Sequence, residues 1–244
     1  MMLSAEEIDR HARHIMLKEI GGPGVQKLKA ASVSLVGAGA LGGPCAMYLA
    51  AAGIGKIEIW DDDIVERSNL QRQVQFKEND LGRGKAESLS DMLAAMNTSL
   101  EVNFCPQRWK GEILTGDLLI DATDNYETRF ALNSTAIASK RPLVHGAAAG
   151  WTGQISTFAR GVDETSPCYN CWVPETPPDA EACDEIGVVG PVTGLVSSMM
   201  ALEVIKLVTG AGSPLIGRLL LIDGLVGGAR TLNLRKDAAC NSCG

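Results

Sequence analysis

Val33-Ser-Leu-Val-Gly37-Ala-Gly39-Ala-Leu-Gly42-Gly43 runs on through an Ala-rich segment to Gly53. Ile57-Glu-Ile-Trp-Asp61-Asp-Asp63 and Ser68-Asn69-Leu70-Gln71-Arg72-Gln73 follow. A β-branched apolar run enters a Gly-x-Gly-x-x-Gly turn, a helix follows, and a second apolar run ends in carboxylates. This order predicts a strand–helix–strand unit with a nucleotide fingerprint in its first turn. Gly37, Gly39 and Gly42 let the backbone turn tightly and approach a phosphate, and the helix start offers free N–H groups to it. Asp61, at the end of the second strand, stands where a ribose hydroxyl is held. The glycine turn alone is shared with α/β proteins that bind nothing, and it names no nucleotide. That decision falls to Asn69, Arg72 and the residues downstream.

Upstream, Ser4-Ala-Glu-Glu7 is a capping box that predicts a helix to about Lys18. Its middle is basic (Arg10, His11, Arg13, His14), which in an isolated helix reads as a solvated face. Gly21-Gly-Pro-Gly24 ends it, and a short helix to Lys29 leads into the first strand. Downstream, a helix from Gly84-Lys85 to Asn97 carries Leu89, Met92, Leu93 and Met96 on one face. Leu100 to Cys105 reads as a strand, and Asp117-Leu-Leu-Ile-Asp-Ala-Thr-Asp124 as a buried strand ending in acids. A helix from Tyr126 to Lys140 and a strand from Pro142 to Ala147 complete the alternation. The pattern predicts an α/β fold with a doubly wound, Rossmann-like sheet.

From Trp151 the texture changes to a smaller mixed C-terminal portion. It comprises a strand from Gln154 to Ala159, a Pro-rich acidic loop from Pro167 to Asp184, a buried helix from Pro191 to Thr209, and strands Leu219 to Asp223 and Ala229 to Leu234. No linker forces a cut, so residues 1–244 are expected to form one unit. Within it, 1–30 supply N-terminal helices, 31–150 a nucleotide-binding core and 151–244 the remainder.

Hydrophobic residues make up 45% and charged residues 21% of the 244, which suits a globular chain able to bury a large core. The formal net charge of −7 argues against broad binding to nucleic acid or anionic membranes. No basic segment followed by an apolar core opens the chain, and Pro191, Glu203 and Lys206 interrupt its most apolar stretch. A cytoplasmic, membrane-free protein is expected.

In such a compartment the seven cysteines favour metal or reactivity over disulfides. Cys168-Tyr-Asn-Cys171 and Cys240-Asn-Ser-Cys243 are two Cys-x-x-Cys knuckles, and four thiolates from two knuckles make a closed tetrahedral Zn2+ site. Redox dithiols are the alternative, but neither pair has a thioredoxin-like context. Cys45 and Cys105 read as small buried hydrophobes. Cys183 belongs to neither knuckle and lies in the polar loop.

At the carboxyl ends of the parallel strands the sequence gathers Asp61, Asn69, Arg72, Lys85 and Asp124 beside the glycine turn. Two carboxylates, two cations and an amide suit a nucleoside triphosphate with Mg2+. A nicotinamide site needs the glycines and Asp61 but not the rest, and no Gly-x-x-x-x-Gly-Lys-Ser/Thr motif is present.

The chain resembles the bacterial relatives of ubiquitin-activating enzymes, the sulfur-carrier adenylyltransferases of the thiamine and molybdopterin pathways. The likeness is carried by Arg10-His-Ala-Arg13-His-Ile, the glycine turn, Asp61-Asp-Asp63, Ser68-Asn-Leu-Gln-Arg72-Gln and Asp121-Ala-Thr-Asp124-Asn. It continues through the segment from Cys183 to Pro191, Ala201-Leu-Glu-Val-Ile-Lys206 and both knuckles. The resemblance implies ATP-dependent adenylylation of the C-terminal Gly-Gly carboxylate of a ubiquitin-like sulfur carrier. It implies that Asp61 holds the ribose, that Asn69, Arg72 and Lys85 contact the phosphates, and that Asp124 holds Mg2+. It places Arg13 in the neighbour's site of a homodimer, gives Cys183 the part of a loop cysteine used in sulfur transfer or a covalent carrier link in some members, and assigns 151–244 to carrier and zinc binding. Two departures are visible: Gly39-Ala40 replaces the usual consecutive glycines, and no sulfurtransferase domain follows, so a separate sulfur donor is expected. The alternatives are an adenylating dehydratase acting on a modified tRNA base, which typically lacks the knuckles, and an NAD-dependent oxidoreductase, which leaves the phosphate-site set unexplained. A silent nucleotide-binding protein would not need all five polar residues.

Overall fold

A computed structural model describes residues 3–177 and 187–244. The first described elements are helices α1 (Ala5–Arg10), α2 (Ala12–Ile15) and α3 (Gly21–Ala30), followed by strand β1 (Ser32–Val36), helix α4 (Gly42–Ala52) and strand β2 (Lys56–Trp60). Helix α5 (Lys85–Met96), strands β3 (Glu101–Cys105) and β4 (Leu118–Asp121), helix α6 (Tyr126–Ala138) and strand β5 (Leu143–Ala149) continue the alternation. The remainder is β6 (Thr152–Phe158), α7 (Tyr169–Trp172), α8 (Gly190–Thr209), β7 (Arg218–Asp223) and β8 (Gly228–Asn233).

The eight strands form one sheet in the order β3-β2-β1-β4-β5-β6-β7-β8. The first five positions pair parallel, and from β5 onward pairing is antiparallel. The switch has a local cause. Only Gly150 and Trp151 separate β5 from β6, and Gly150 takes φ +56°. So short a link permits a hairpin but no crossover. The mixed C-terminal strands expected from the sequence therefore extend the same sheet rather than starting another.

Both faces of the parallel part are covered, as side-chain alternation requires. Val33 and Leu35 of β1, with Leu118 and Ile120 of β4, pack into a core shared with α3, α4, α5 and α8. Val36 and Leu119 point the other way, into a second core with α6, Trp60, Trp109 and Tyr169. Helix α8 is long and apolar enough to cross a membrane. Here Val192, Val196, Met200 and Val204 are buried in the core, and fully buried Glu203 accepts hydrogen bonds from Thr157 Oγ1 (2.8 Å) and Leu215 N (2.6 Å).

Two local expectations are corrected. The helix expected from Ser4 to Lys18 keeps its capping box but breaks at His11 and ends at Ile15. His11 is buried over Gly53, whose missing side chain leaves room for the imidazole; a Cβ there would lie 2.6 Å from its Cε1. Docking of that one ring interrupts the helical run. The loop expected from Pro167 onward holds the one-turn helix α7, which begins immediately after Cys168.

Candidate functional site

β1 has β2 on one side and β4 on the other, so the chain leaves its carboxyl end at the point where strand order reverses. In open α/β sheets that crevice is where ligands bind. A cleft of about 340 Å³ opens there, within the size range of small-molecule sites. Gly37, at φ +97°, makes the turn out of β1, and a Cβ on it would meet the Ala122 carbonyl at 2.6 Å. Gly42 allows helix α4 to start against the turn; its Cβ would sit 1.8 Å from the Gly37 carbonyl oxygen.

Asp61 fixes the other side of the turn. Its Oδ2 accepts the Ala38 N–H at 2.6 Å and its Oδ1 accepts the Asp63 N–H at 2.9 Å. Burial raises its pKa above the ordinary carboxylate value, while those two hydrogen bonds oppose the rise. Lys85, the first residue of α5, is buried and places Nζ 2.8 Å from Asp63 Oδ2. Arg72 enters the cleft wall from the segment after β2, with Nη1 donating to the Ser68 carbonyl at 3.1 Å. Asp124 lies exposed on the β4–α6 connection, in long contact with the Asn125 amide at 3.5 Å. An exposed, oxygen-only donor facing a cleft lined by Asp61, Asp62 and Asp63 fits a hard divalent cation such as Mg2+.

Of the expected residues, Gly37, Gly39, Asp61, Arg72, Lys85 and Asp124 line this one cleft. Gly42 supports the turn from behind. Asn69 is buried, and its Oδ1 accepts the Glu66 N–H at 3.1 Å. Arg13 is exposed on α2, away from the cleft of its own chain. Cys183 lies outside the described residues.

The knuckles converge. Sγ of Cys168 is 3.8 Å from that of Cys171 and 3.6 Å from that of Cys240, and Cys171 lies 3.5 Å from Cys243. Zinc–thiolate bonds of about 2.3 Å in a tetrahedron require sulfur separations of about 3.8 Å. The four thiols fit Zn2+ with no position left open.

A family model described as the ThiF family matches residues 11–242. The chain belongs to the ThiF family. It is 40% identical to a sulfur carrier protein adenylyltransferase of Thermus thermophilus, over all of this chain and 93% of that protein. It is 42% identical to an adenylyltransferase and sulfurtransferase MOCS3 of Culex quinquefasciatus, over 99% of this chain and 56% of that one. A probable adenylyltransferase/sulfurtransferase MoeZ of Mycobacterium tuberculosis is 41% identical over 96% of this chain and 62% of its own length. Among solved structures, Escherichia coli MccB superposes with a TM-score of 0.85 at 22% identity, covering 96% of this chain and 75% of MccB. That likeness shows the fold alone.

Several residues in and behind the cleft of this ThiF-family chain receive no role from the sequence. Gln73 is buried in the cleft wall, and its Oε1 meets no donor among the described residues. Arg129 of α6 donates to the Thr123 carbonyl at 2.8 Å and lies 5.1 Å over the Tyr126 ring. Behind the same connection, Asp121 Oδ2 is 2.7 Å from His145 Nδ1, both wholly buried, and Asp121 Oδ1 accepts from Thr123 N and Oγ1 at 3.0 and 2.7 Å. Asp121 stands in a quoted motif, but its partner becomes visible only through the β4–β5 register, which sets the two residues side by side.

Proposed function

We propose that the protein is an ATP-dependent adenylyltransferase that activates the C-terminal glycine of a ubiquitin-like sulfur carrier for thiocarboxylate formation. The carrying observation is the convergence of the glycine turn, Asp61, Arg72, Lys85 and Asp124 on one cleft. Full-length similarity to a protein named for this activity supports it.

In this reading Asp61 accepts from the ribose hydroxyls, and Arg72, Lys85 and the N–H groups of the turn surround the phosphates. Asp124 would hold Mg2+, which supplies charge neutralisation on the phosphate oxygens when bound. The carrier's terminal carboxylate attacks the α-phosphorus, the bond to the bridging β-oxygen breaks, and pyrophosphate leaves with both electrons of that bond. The products are a carrier acyl-adenylate and pyrophosphate. No protein nucleophile is required, so catalysis rests on positioning and electrostatics. Zn2+ on the four knuckle cysteines is structural. Asn69 acts from beneath the phosphate site, Arg13 reaches the site of a second copy in a homodimer, and sulfur arrives from a separate donor protein. Cys183 is assigned to the step after adenylylation.

The test is isotope exchange between pyrophosphate and ATP, with thiamine-pathway and molybdopterin-pathway carriers supplied separately. Exchange with a Gly-Gly-tailed carrier is expected, and the carrier that supports it names the pathway. Absence of exchange with either carrier, together with tight NAD binding, would sink the proposal.

A further inference from the structure

Gln75 is buried beside the glycine turn, yet it is not one of the residues lining the cleft. Its Nε2 donates to two carbonyls at once, Ala38 and Gly39, each at 3.0 Å. Its Oε1 has no donor among the described residues. Leaving a buried amide oxygen unpaired is unfavourable. Flipping the amide would bring that oxygen against two carbonyl oxygens, so the turn itself fixes the orientation.

The room for this side chain comes from Gly43. A Cβ there would lie 2.2 Å from Gln75 Cδ and Nε2. Gly43 sits in the first turn of α4 without positive φ, so the backbone does not demand glycine; the space does. A third carbonyl is held in the same manner. Ala40 would ordinarily accept from the residue four positions on, but that residue is Pro44, which has no N–H. The Ser197 hydroxyl of α8 stands 3.2 Å from it instead, sharing its proton with the Thr193 carbonyl at 2.7 Å.

In a trans peptide the N–H points opposite the preceding C=O. With the carbonyls of Ala38, Gly39 and Ala40 drawn toward Gln75 and Ser197, the N–H groups of Gly39, Ala40 and Leu41 are sent the other way. Gly39, Ala40 and Leu41 all line the cleft, and none of their three N–H groups meets an acceptor among the described residues. Successive N–H groups aimed together form an anion-binding concavity.

We infer that Gln75, seated in the slot left by Gly43, is a positioning residue that presets the turn's N–H groups for the phosphates of ATP. This rests on ATP being the ligand of the cleft. It touches no ligand itself, so its removal acts on the phosphates and leaves the nucleoside alone.

The test compares Mg2+–ATP and adenosine binding by calorimetry for wild type, Gln75→Met, Gln75→Glu and Gly43→Ala. Gln75→Met keeps the shape and loses the donor; ATP affinity is expected to fall about tenfold, the scale of a hydrogen bond to a charged group, with adenosine affinity unchanged. Gln75→Glu, which sets a carboxylate against two carbonyls, should lose at least as much. Gly43→Ala reaches the same loss by displacing the intact glutamine, and combining it with Gln75→Met should add little, because both disturb one contact. In the exchange reaction the loss should enter KM for ATP more than kcat. Unchanged ATP affinity in Gln75→Met, or parallel loss of ATP and adenosine, would overturn the inference. Wild-type protein that binds no ATP would overturn the functional reading beneath it, and the wild-type arm separates the two failures.

Discussion

Asp121 and His145 are the most deeply buried ionisable pair around the site, and their charge states follow from their surroundings. Burial depresses the imidazole pKa below its ordinary 6.5 and outweighs the hydrogen bond and charge of Asp121, so His145 is neutral and donates its Nδ1 proton. For Asp121 burial acts upward, but His145, Arg129 and Thr123 together hold the carboxyl below its ordinary 3.8. The rings of Tyr169, Trp172 and Phe158 complete the enclosure of the imidazole. Between the lowered folded value and 6.5, the unfolded chain binds a proton at His145 that the native state refuses. Stability therefore falls as pH drops through this window, by up to about 1.4 kcal/mol per pH unit for one proton. Asp121 adds a loss of the same sign below its ordinary value. His11 is depressed by burial too, so the informative quantity is a difference between variants. His145→Asn keeps an N–H donor and cannot titrate; its melting temperature should fall less than that of wild type between pH 7 and pH 5. Identical slopes would mean that the imidazole titrates alike in the folded and unfolded chain, and a steeper fall in the variant that it is protonated in the native state. At the cleft itself, Asp124→Ala is expected to abolish carrier-dependent exchange while leaving the melting temperature within about 2 °C, because surface changes seldom exceed about 0.5 kcal/mol.

Helix α8 lies on the antiparallel half of the sheet because two strand positions lack side chains. A Cβ at Gly146 would come within 2.3 Å of Met200 Sδ, and one at Gly153 within 2.4 Å of Val196 Cγ2. Methionine can bend away; a helical valine has essentially one rotamer. Gly153→Ala should therefore cost about 1–3 kcal/mol through overpacking, read as a lower urea midpoint at unchanged m-value, and Val196→Ala in the same chain should recover much of it. The cysteine cluster works between elements as well, joining α7 to the segment after β8. One Zn2+ per chain is expected by elemental analysis, and Cys240→Ser or chelation should lower the melting temperature, since structural zinc is folding free energy. Much at this scale was legible in the sequence, because Cys-x-x-Cys spacing and the strand–helix alternation are local patterns. The break at His11 was not: it depends on a glycine at the far end of α4, and a capping box with helical residues after it gives no sign of that encounter.

In the whole molecule, the β/α order and the position of the glycine turn were readable because apolar periodicity and turn chemistry are written along the chain. The pairing of β4 with β5, the reach of Gln75 and the burial of Gln73 were not, because each needs the sheet assembled before the partners meet. Asn69 marks the boundary. Its place in a motif was visible, while its turn inward to cap the 66–69 segment was a matter of packing. The exposed Arg13 poses its question at the largest scale, since it does not line the cleft described in its own chain. If it completes the site of a second copy, mixing Arg13→Ala with Asp124→Ala chains should restore activity. Random exchange in a two-fold dimer would leave about a quarter of the wild-type sites intact. A mixture as inactive as either parent would place Arg13 outside the reaction.

The fit between Gly43 and Gln75 also bears on how the family can diverge. A methyl group at 43 and a glutamine at 75 cannot share one space without a shift, so neither position is free to drift alone. Among homologues a side chain at 43 is expected where 75 is no longer glutamine, and glutamine at 75 where 43 is glycine. Two residues more than thirty positions apart would then be inherited as one character.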